Sequence, residues 1–215
     1  MSNVIQWLED NTKSTHRTLQ SQSVAYAAEL CRLGIKRGDK VGVFYDKSSN
    51  YLVMLLAIWR LNAKVVPLSP KSLRQSRYAR DHILDHHDHP IKLLIHSAYT
   101  HEEVLLEWMR QSDGIAYSLE YFASPVLPTA KPVIVTHFKF IQADDVAVYK
   151  IPEHGDIESA DSILTHGELI NSLEQSRAQL QHAGAVTMST IVANLLSLVA
   201  LPIPKKVMPS ADLSM

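Results

Sequence analysis

Residues Arg32 to Pro70 read RLGIKRGDKVGVFYDKSSNYLVMLLAIWRLNAKVVPLSP, and this stretch decides the fold. Leu33-Gly34-Ile35 closes a helix, with Gly34 placed to take the left-handed conformation beyond its last turn. Lys36-Arg37-Gly38-Asp39 reads as a turn, and Lys40 to Tyr45 as a short apolar strand. Ser48 or Ser49 can cap a helix over Tyr51 to Leu61, whose apolar surface is nearly continuous. Ala63 to Leu68 supplies a second strand, stopped by Pro67 and Pro70. Strand, helix and strand in so short a span make one compact α/β unit.

Working outward, Ser23 to Leu33 places Val24, Ala27, Ala28 and Cys31 at the spacing of one buried helical face. Lys13 to Thr18 is a polar connection, and Val4 to Leu8 fits a short amphipathic helix. Downstream, Ser72 to His86 reads as a helix with Tyr78 and Ile83 inward, and Ile91 to Ile95 as a strand. A helix over Glu102 to Arg110 follows, then strands over Val133 to Val135 and Val146 to Ile151. Thr165 to Gln181 is a long helix, with Thr165 and Glu168 at capping-box spacing. Strands alternating with helices predict an α/β fold, a layered and mostly parallel sheet flanked by helices. Tyr51, Met54 and Trp59 are expected in its core.

The chain has 215 residues, 46% hydrophobic and 20% charged, with a net charge of −1. That length buries about 70% of the unfolded surface, enough for one core. The balanced charge provides no basic field, which excludes nucleic acid as a partner on electrostatic grounds. Cys31 is the only cysteine, so no internal disulfide forms. A reducing, cytoplasmic setting is the expectation. Residues 1–13 lack a basic start followed by an apolar run, so no secretory signal is expected.

Arg32 to Pro70 resembles the start of the adenylate-forming superfamily, which includes acyl-CoA synthetases, fatty acyl-AMP ligases and peptide-synthetase adenylation domains. Those proteins carry a helix, then G-(I/V)-x-x-G-D-x-V, a strand, a polar turn, an apolar helix, and a strand ending in P-(L/I)-x-P. The resemblance covers about Ser21 to Gln181 and implies the N-terminal subdomain of such enzymes, in which ATP and a carboxylate give an acyl adenylate. It divides the chain into an N-terminal extension (1–20), a partial synthetase/ligase-like domain (21–181), and a divergent apolar then proline-containing tail (182–215).

In the resembled family a phosphate loop, roughly T-S-G-T-T-G-x-P-K-G, links two strands, and a T-H pair starts the helix that follows. Asp144 to Tyr149 resembles the strand leading in, and Ser162 to Leu169, with Thr165-His166, the elements leading out. The loop between them, residues 152–161, has the right length and the wrong chemistry. A phosphate cradle needs glycines, hydroxyls and a cation. This loop keeps Gly155 and Ser159, has no lysine, and carries Glu153, Asp156, Glu158 and Asp161. A charge-assisted hydrogen bond contributes about 1.5–3 kcal/mol, and about 1.4 kcal/mol is tenfold in affinity. Losing two such donors therefore costs roughly two to four decades of nucleotide affinity. Gly155, Ser159 and Thr165 are the candidate nucleotide-loop positions of a degenerate site. No bound cofactor is expected; ATP and Mg²⁺ are implied by the resemblance alone. The framing of the loop resembles the fatty acyl-AMP ligase-like domains of the disco-interacting protein 2 group.

Other features carry less. Asp81 to His89 holds His82, His86, His87 and His89, and a solvated helix end before Pro90 competes with metal ligation. No serine or cysteine sits in a nucleophile motif, so a hydrolase triad has no support. Val186 to Leu201 is apolar but, at 16 residues, short of the roughly 20 needed to span a bilayer, which makes membrane association an unfavoured reading. It reads as a helix packed on the sheet, as a tail with no family counterpart, or as a weak anchor.

Three functional readings follow. The first is an adenylate-forming domain with a degenerate phosphate loop, inactive alone. The second is a non-catalytic binding or regulatory module that contacts an acyl or carboxylate ligand or a protein partner. The third is an unstable gene fragment.

Overall fold

The computed structural model describes residues 4–6, 13–44, 46, 48–68, 91–97, 106, 115–124, 141–150, 163–182, 195 and 199. Its centre is a six-stranded sheet built around the stretch that opened the sequence reading. β1 (Val4–Gln6) and β2 (Lys13–Thr15) form a separate antiparallel pair. Then come α1 (His16–Arg32), β3 (Lys40–Phe44), α2 (Ser49–Arg60) and β4 (Lys64–Leu68). β5 (Ile91–His96), β6 (Ile115–Ser118) and α3 (Leu119–Ala123) follow. The last three elements are β7 (Val146–Tyr149), β8 (Ile163–Thr165) and α4 (His166–His182).

The main sheet has the order β6-β5-β3-β4-β7-β8, parallel except for the antiparallel β7–β8 pair. This is the layered, mostly parallel α/β architecture predicted from the sequence. β3 is buried along its whole length, as a central parallel strand covered on both faces must be. On one face Val41, Val43, Val65, Leu93 and Ile95 join a core with Tyr26 and Leu30 of α1 and with Leu52, Leu55 and Ile58 of α2. On the other face Phe44, Val66, Leu68 and Leu94 are also buried. Gly42 belongs to that second face because a Cβ there would come within 3.0 Å of both Leu68 and Leu94. Only glycine lets the two leucines close over the strand.

The turns follow from local chemistry. Gly34 (φ 88°) and Gly38 (φ 83°) both take the left-handed conformation, Gly34 as expected. The Gly34 amide donates to the Cys31 carbonyl at 2.9 Å and the Ile35 amide to that of Leu30 at 3.0 Å, closing α1. Asn62 takes the same region (φ 51°), a conformation asparagine tolerates better than most residues.

Several expectations are corrected. Val4–Gln6 is a strand, not part of a helix, and its pairing with Lys13–Thr15 decides the conformation of both segments. The first long helix starts at His16 rather than Ser23, because Thr15 and Thr18 form a reciprocal cap. Its buried face is also rotated from the expected one. Ser23, Tyr26, Ala27 and Leu30 point inward, while Val24 is 40% exposed and Cys31 only partly buried. The burial of Tyr26, with its hydroxyl bonded to Asn50 at 3.1 Å, sets that rotation. Ser48 caps α2, yet its side chain makes no capping hydrogen bond. Tyr51, Met54 and Trp59 lie in the core as expected.

The expected helix over Ser72 to His86, the strand at Val133 to Val135, the histidine cluster and the loop 152–161 lie outside the described residues. Of the helix expected over Glu102 to Arg110, Leu106 is described and is helical. In the apolar tail segment, Leu195 and Val199 are helical, and Val199 is fully buried in the main core with Leu195 packed against it. These two residues favour the reading of that segment as a packed helix.

Candidate functional site

In a parallel α/β sheet, ligands bind beyond the carboxyl ends of the strands, where neighbouring connections leave in opposite directions. The chain leaves β3 toward β4 on one side and leaves β5 toward β6 on the other, so that point lies between β3 and β5. His96 and Ser97 end β5 there, opposite Asp46 and Ser48 beyond β3. The Asp46 carboxylate accepts from the Ser48 amide at 2.7 Å, fixing the turn into α2. Nδ1 of His96 lies 3.3 Å from the Ser97 carbonyl. Among the described residues this edge holds no serine–histidine–carboxylate relay. Among the described residues no group of three histidine, cysteine or acidic side chains could hold a metal ion.

The candidate nucleotide loop belongs to the same edge. β7 and β8 pair with Tyr149 opposite Ile163 and Val146 opposite Thr165. The chain from 150 to 162 therefore connects the two strands beyond the carboxyl end of β7. Gly155 and Ser159 fall within that connection, outside the described residues. Thr165 lies at the other end of β8, two residues from Ile163 or about 7 Å at the usual strand rise, and caps α4. Its hydroxyl accepts from the Glu168 amide at 3.2 Å, and Glu168 Oε2 accepts from the Thr165 amide at 2.8 Å. The Thr165 hydroxyl also donates to that carboxylate at 3.0 Å. The capping box read from the sequence is present.

Below the hairpin, at the amino end of the sheet, a polar hub fixes where β7 begins. Asp145 accepts from the Asn62 amide nitrogen at 2.7 Å, from the Gln142 backbone amide at 2.8 Å, and from Arg37 at 3.1 and 3.2 Å. Its carbonyl accepts from the His166 backbone amide at 3.0 Å. One aspartate thereby ties the turn before β3, the turn before β4 and the start of α4 to β7. The Gln142 amide, then Asn62 and Arg37, hold its carboxyl below the usual range. Trp59 of α2 adds a bond from its indole nitrogen to the Ala147 carbonyl at 2.9 Å and meets the His166 ring edge-on at 6.3 Å. Burial pushes the His166 imidazole below its ordinary value, against the opposing pull of Asp145. Its Nε2 is buried and has no hydrogen-bond partner among the described residues.

The sequence reading did not find this hub. Asn62 and Arg37 are 83 and 108 residues from Asp145, and only the Asp144-Asp145 pair before a strand hinted at an anchor.

Comparisons with known proteins agree with this architecture. The profile of the family described as AMP-binding enzyme matches residues 2–154, well over half of the chain. A search of curated proteins finds no match. Among solved structures, the chain is similar to unliganded o-succinylbenzoate coenzyme A synthetase of Bacillus subtilis (14% identity, TM-score 0.62), covering 92% of this chain and 40% of that one. It is similar to the Mycobacterium tuberculosis fatty acyl CoA synthetase (16% identity, TM-score 0.57), covering 93% and 41%. The fatty acyl-adenylate ligases of E. coli and L. pneumophila give 21% identity and a TM-score of 0.51, covering 74% and 28%. The chain thus spans about two-fifths or less of the length of these structures. At such identities the structures report the fold, and the family match supplies the assignment: this protein belongs to the AMP-binding enzyme family of adenylate-forming ligases, to whose N-terminal part its sheet corresponds.

Proposed function

We propose that this chain is the front part of an acyl-AMP/acyl-CoA ligase-like domain whose phosphate loop is degenerate, and that it does not catalyse adenylation by itself. One observation carries the reading. Residues 152–161, within the connection between β7 and β8 where the family places its phosphate cradle, hold four carboxylates, one glycine and no lysine. A triphosphate needs backbone amides held close by glycine, plus a cation to offset its charge. The residues available do not fit ATP. Gly155, Ser159 and Thr165 are remnants of the loop framework rather than working ligands. Four acids could meet a nucleotide only through Mg²⁺, with no lysine among residues 152–161.

The test is pyrophosphate release from ATP and Mg²⁺ by the purified chain, with a panel of fatty and aryl carboxylates. The account expects no carboxylate-dependent release, and sustained turnover would overturn it. A second reading has its own support. A fold whose hub and core are intact beside an altered loop suits a non-catalytic module that binds an acyl ligand or a protein partner. The fatty acyl-AMP ligase-like subgroup belongs to this proposal. An unstable fragment would instead lack a cooperative thermal transition, which the buried core predicts.

A further inference from the structure

Two further charges lie on the face of the sheet turned from α1 and α2. Val41 and Val65 pack into the core with those helices. The preceding residues on each strand, Lys40 and Lys64, therefore face the opposite side. They are direct neighbours in the β3–β4 register. Lys40 is 9% exposed, and its Nζ lies 4.0 Å from the centroid of the Tyr149 ring. Tyr149 is on β7, and β4 lies between β7 and β3. The Lys40 side chain therefore crosses β4 at the strand that begins with Lys64. Three side chains from three adjacent strands converge over one spot.

This arrangement is unfavourable as it stands. Like charges directly opposed across neighbouring strands destabilise a sheet. Burial pushes the Lys40 ammonium below its ordinary value, and Lys64 pushes it further. Among the described residues no carboxylate pairs with Lys40 or Lys64. The cation–π contact offsets part of the cost, on the order of 0.5–2 kcal/mol. By contrast, Lys92 and Arg37 at the same end of the sheet are paired, with Asp39 at 2.9 Å and Asp145 at 3.1 Å. The fold supplies acids to its surface cations there and none to this pair.

We propose that Lys40 and Lys64, over the Tyr149 ring, form a subsite for a dianionic phosphate group, free or carried on a small molecule. Two ammonium groups match its charge and donate to its oxygens, and the aromatic ring holds Lys40 in place. Lys64 is the more exposed of the two and Lys40 the more buried.

Thermal unfolding of the full chain, titrated with sodium phosphate at pH 7.5 and compared with sodium chloride at matched ionic strength, tests the idea. Phosphate broadening in ³¹P NMR reports binding directly. The expected result is a saturable, phosphate-specific rise in Tm, with phosphate affinity at least tenfold weaker in Lys64→Met. Lys40→Met should lose the effect and, with the buried charge gone, unfold at a higher temperature than wild type in the absence of phosphate. Lys64→Met removes only a partly exposed side chain, so the test stands even if Lys40→Met does not fold. Equal responses to phosphate and chloride, or unchanged phosphate affinity in Lys64→Met, would overturn the proposal. If phosphate binds and a mononucleotide of equal charge does not, the free anion is the ligand; binding by both extends the class to phosphate monoesters.

Discussion

The unit β3–α2–β4 and the unit β7–β8–α4 belong to one sheet and are held in it by different forces. In the first, Val41, Val43, Val53, Leu55, Ala57, Ile58 and Val65 are all fully buried, and apolar packing dominates beside the β3–β4 ladder and the Asp46 turn. In the second, β7 touches the parallel sheet through a single register pair, Val65 with Val148. Burial of Ala147, Val148 and Leu169 in the core is joined there by polar bonds: Trp59 to Ala147, the Asp145 hub, and the Thr165–Glu168 box. Packing is indifferent to small shifts along a strand, whereas a hydrogen-bonded hub specifies one register. The hub therefore fixes the register of the hairpin that frames residues 150–162.

That contrast can be broken most severely in the packed unit. Leu55→Ala should cost about 2–5 kcal/mol in chemical denaturation, since it opens a cavity where nothing can collapse. A cost near that of an exposed site would mean that α2 is not the keystone. In the polar unit, Asp145→Ala should cost about 1–3 kcal/mol, because it leaves the Asn62 amide and the Gln142 N–H without their acceptor. Hydrogen exchange should then quicken in β7, β8 and the start of α4 while β3 and β4 stay protected. Uniform loss across the sheet would remove the distinction between the units.

Acid offers a graded version of the same test. Glu29 is held below its ordinary 4.5, chiefly by its bond to Arg32 and despite its burial. Its contribution to stability is present above that value and is lost as pH falls toward the lower folded value. His166 is likewise depressed from 6.5, here by burial. The unfolded chain takes up its proton first, so stability falls once pH drops below 6.5, earlier than the carboxylate effect. The account expects His166→Phe to flatten the decline just below 6.5 and leave the Glu29 portion intact. The smallest expected effect is Thr165→Ala, about 1 kcal/mol with fraying confined to the first turn of α4.

How much of this was legible depended on whether local residues or distant partners set the structure. The run Gly34 to Leu68 announced itself because every layer agreed: glycines at the two turns where their φ is positive, an apolar strand, and a helix apolar nearly all round. The capping box was legible too, since its partners sit three residues apart. Val4–Gln6 was not, because a three-residue strand exists only through its pairing with Lys13–Thr15. β6 and α3, over Ile115 to Ala123, were missed for the same reason. They owe their conformation to pairing with β5 and to Phe122 packing on Tyr26 at 5.6 Å. At the candidate site, sequence displayed the loop's composition, while the hub that positions its hairpin is assembled across more than 80 residues.

The central claim is that a family scaffold is retained around a loop that cannot cradle a triphosphate. Isothermal titration of the purified chain with ATP in Mg²⁺ tests it most directly. The account predicts no saturable binding through the micromolar range, with affinity roughly two to four decades below that of an intact loop. Saturable micromolar binding that is lost on substituting Gly155 and Ser159 would contradict it.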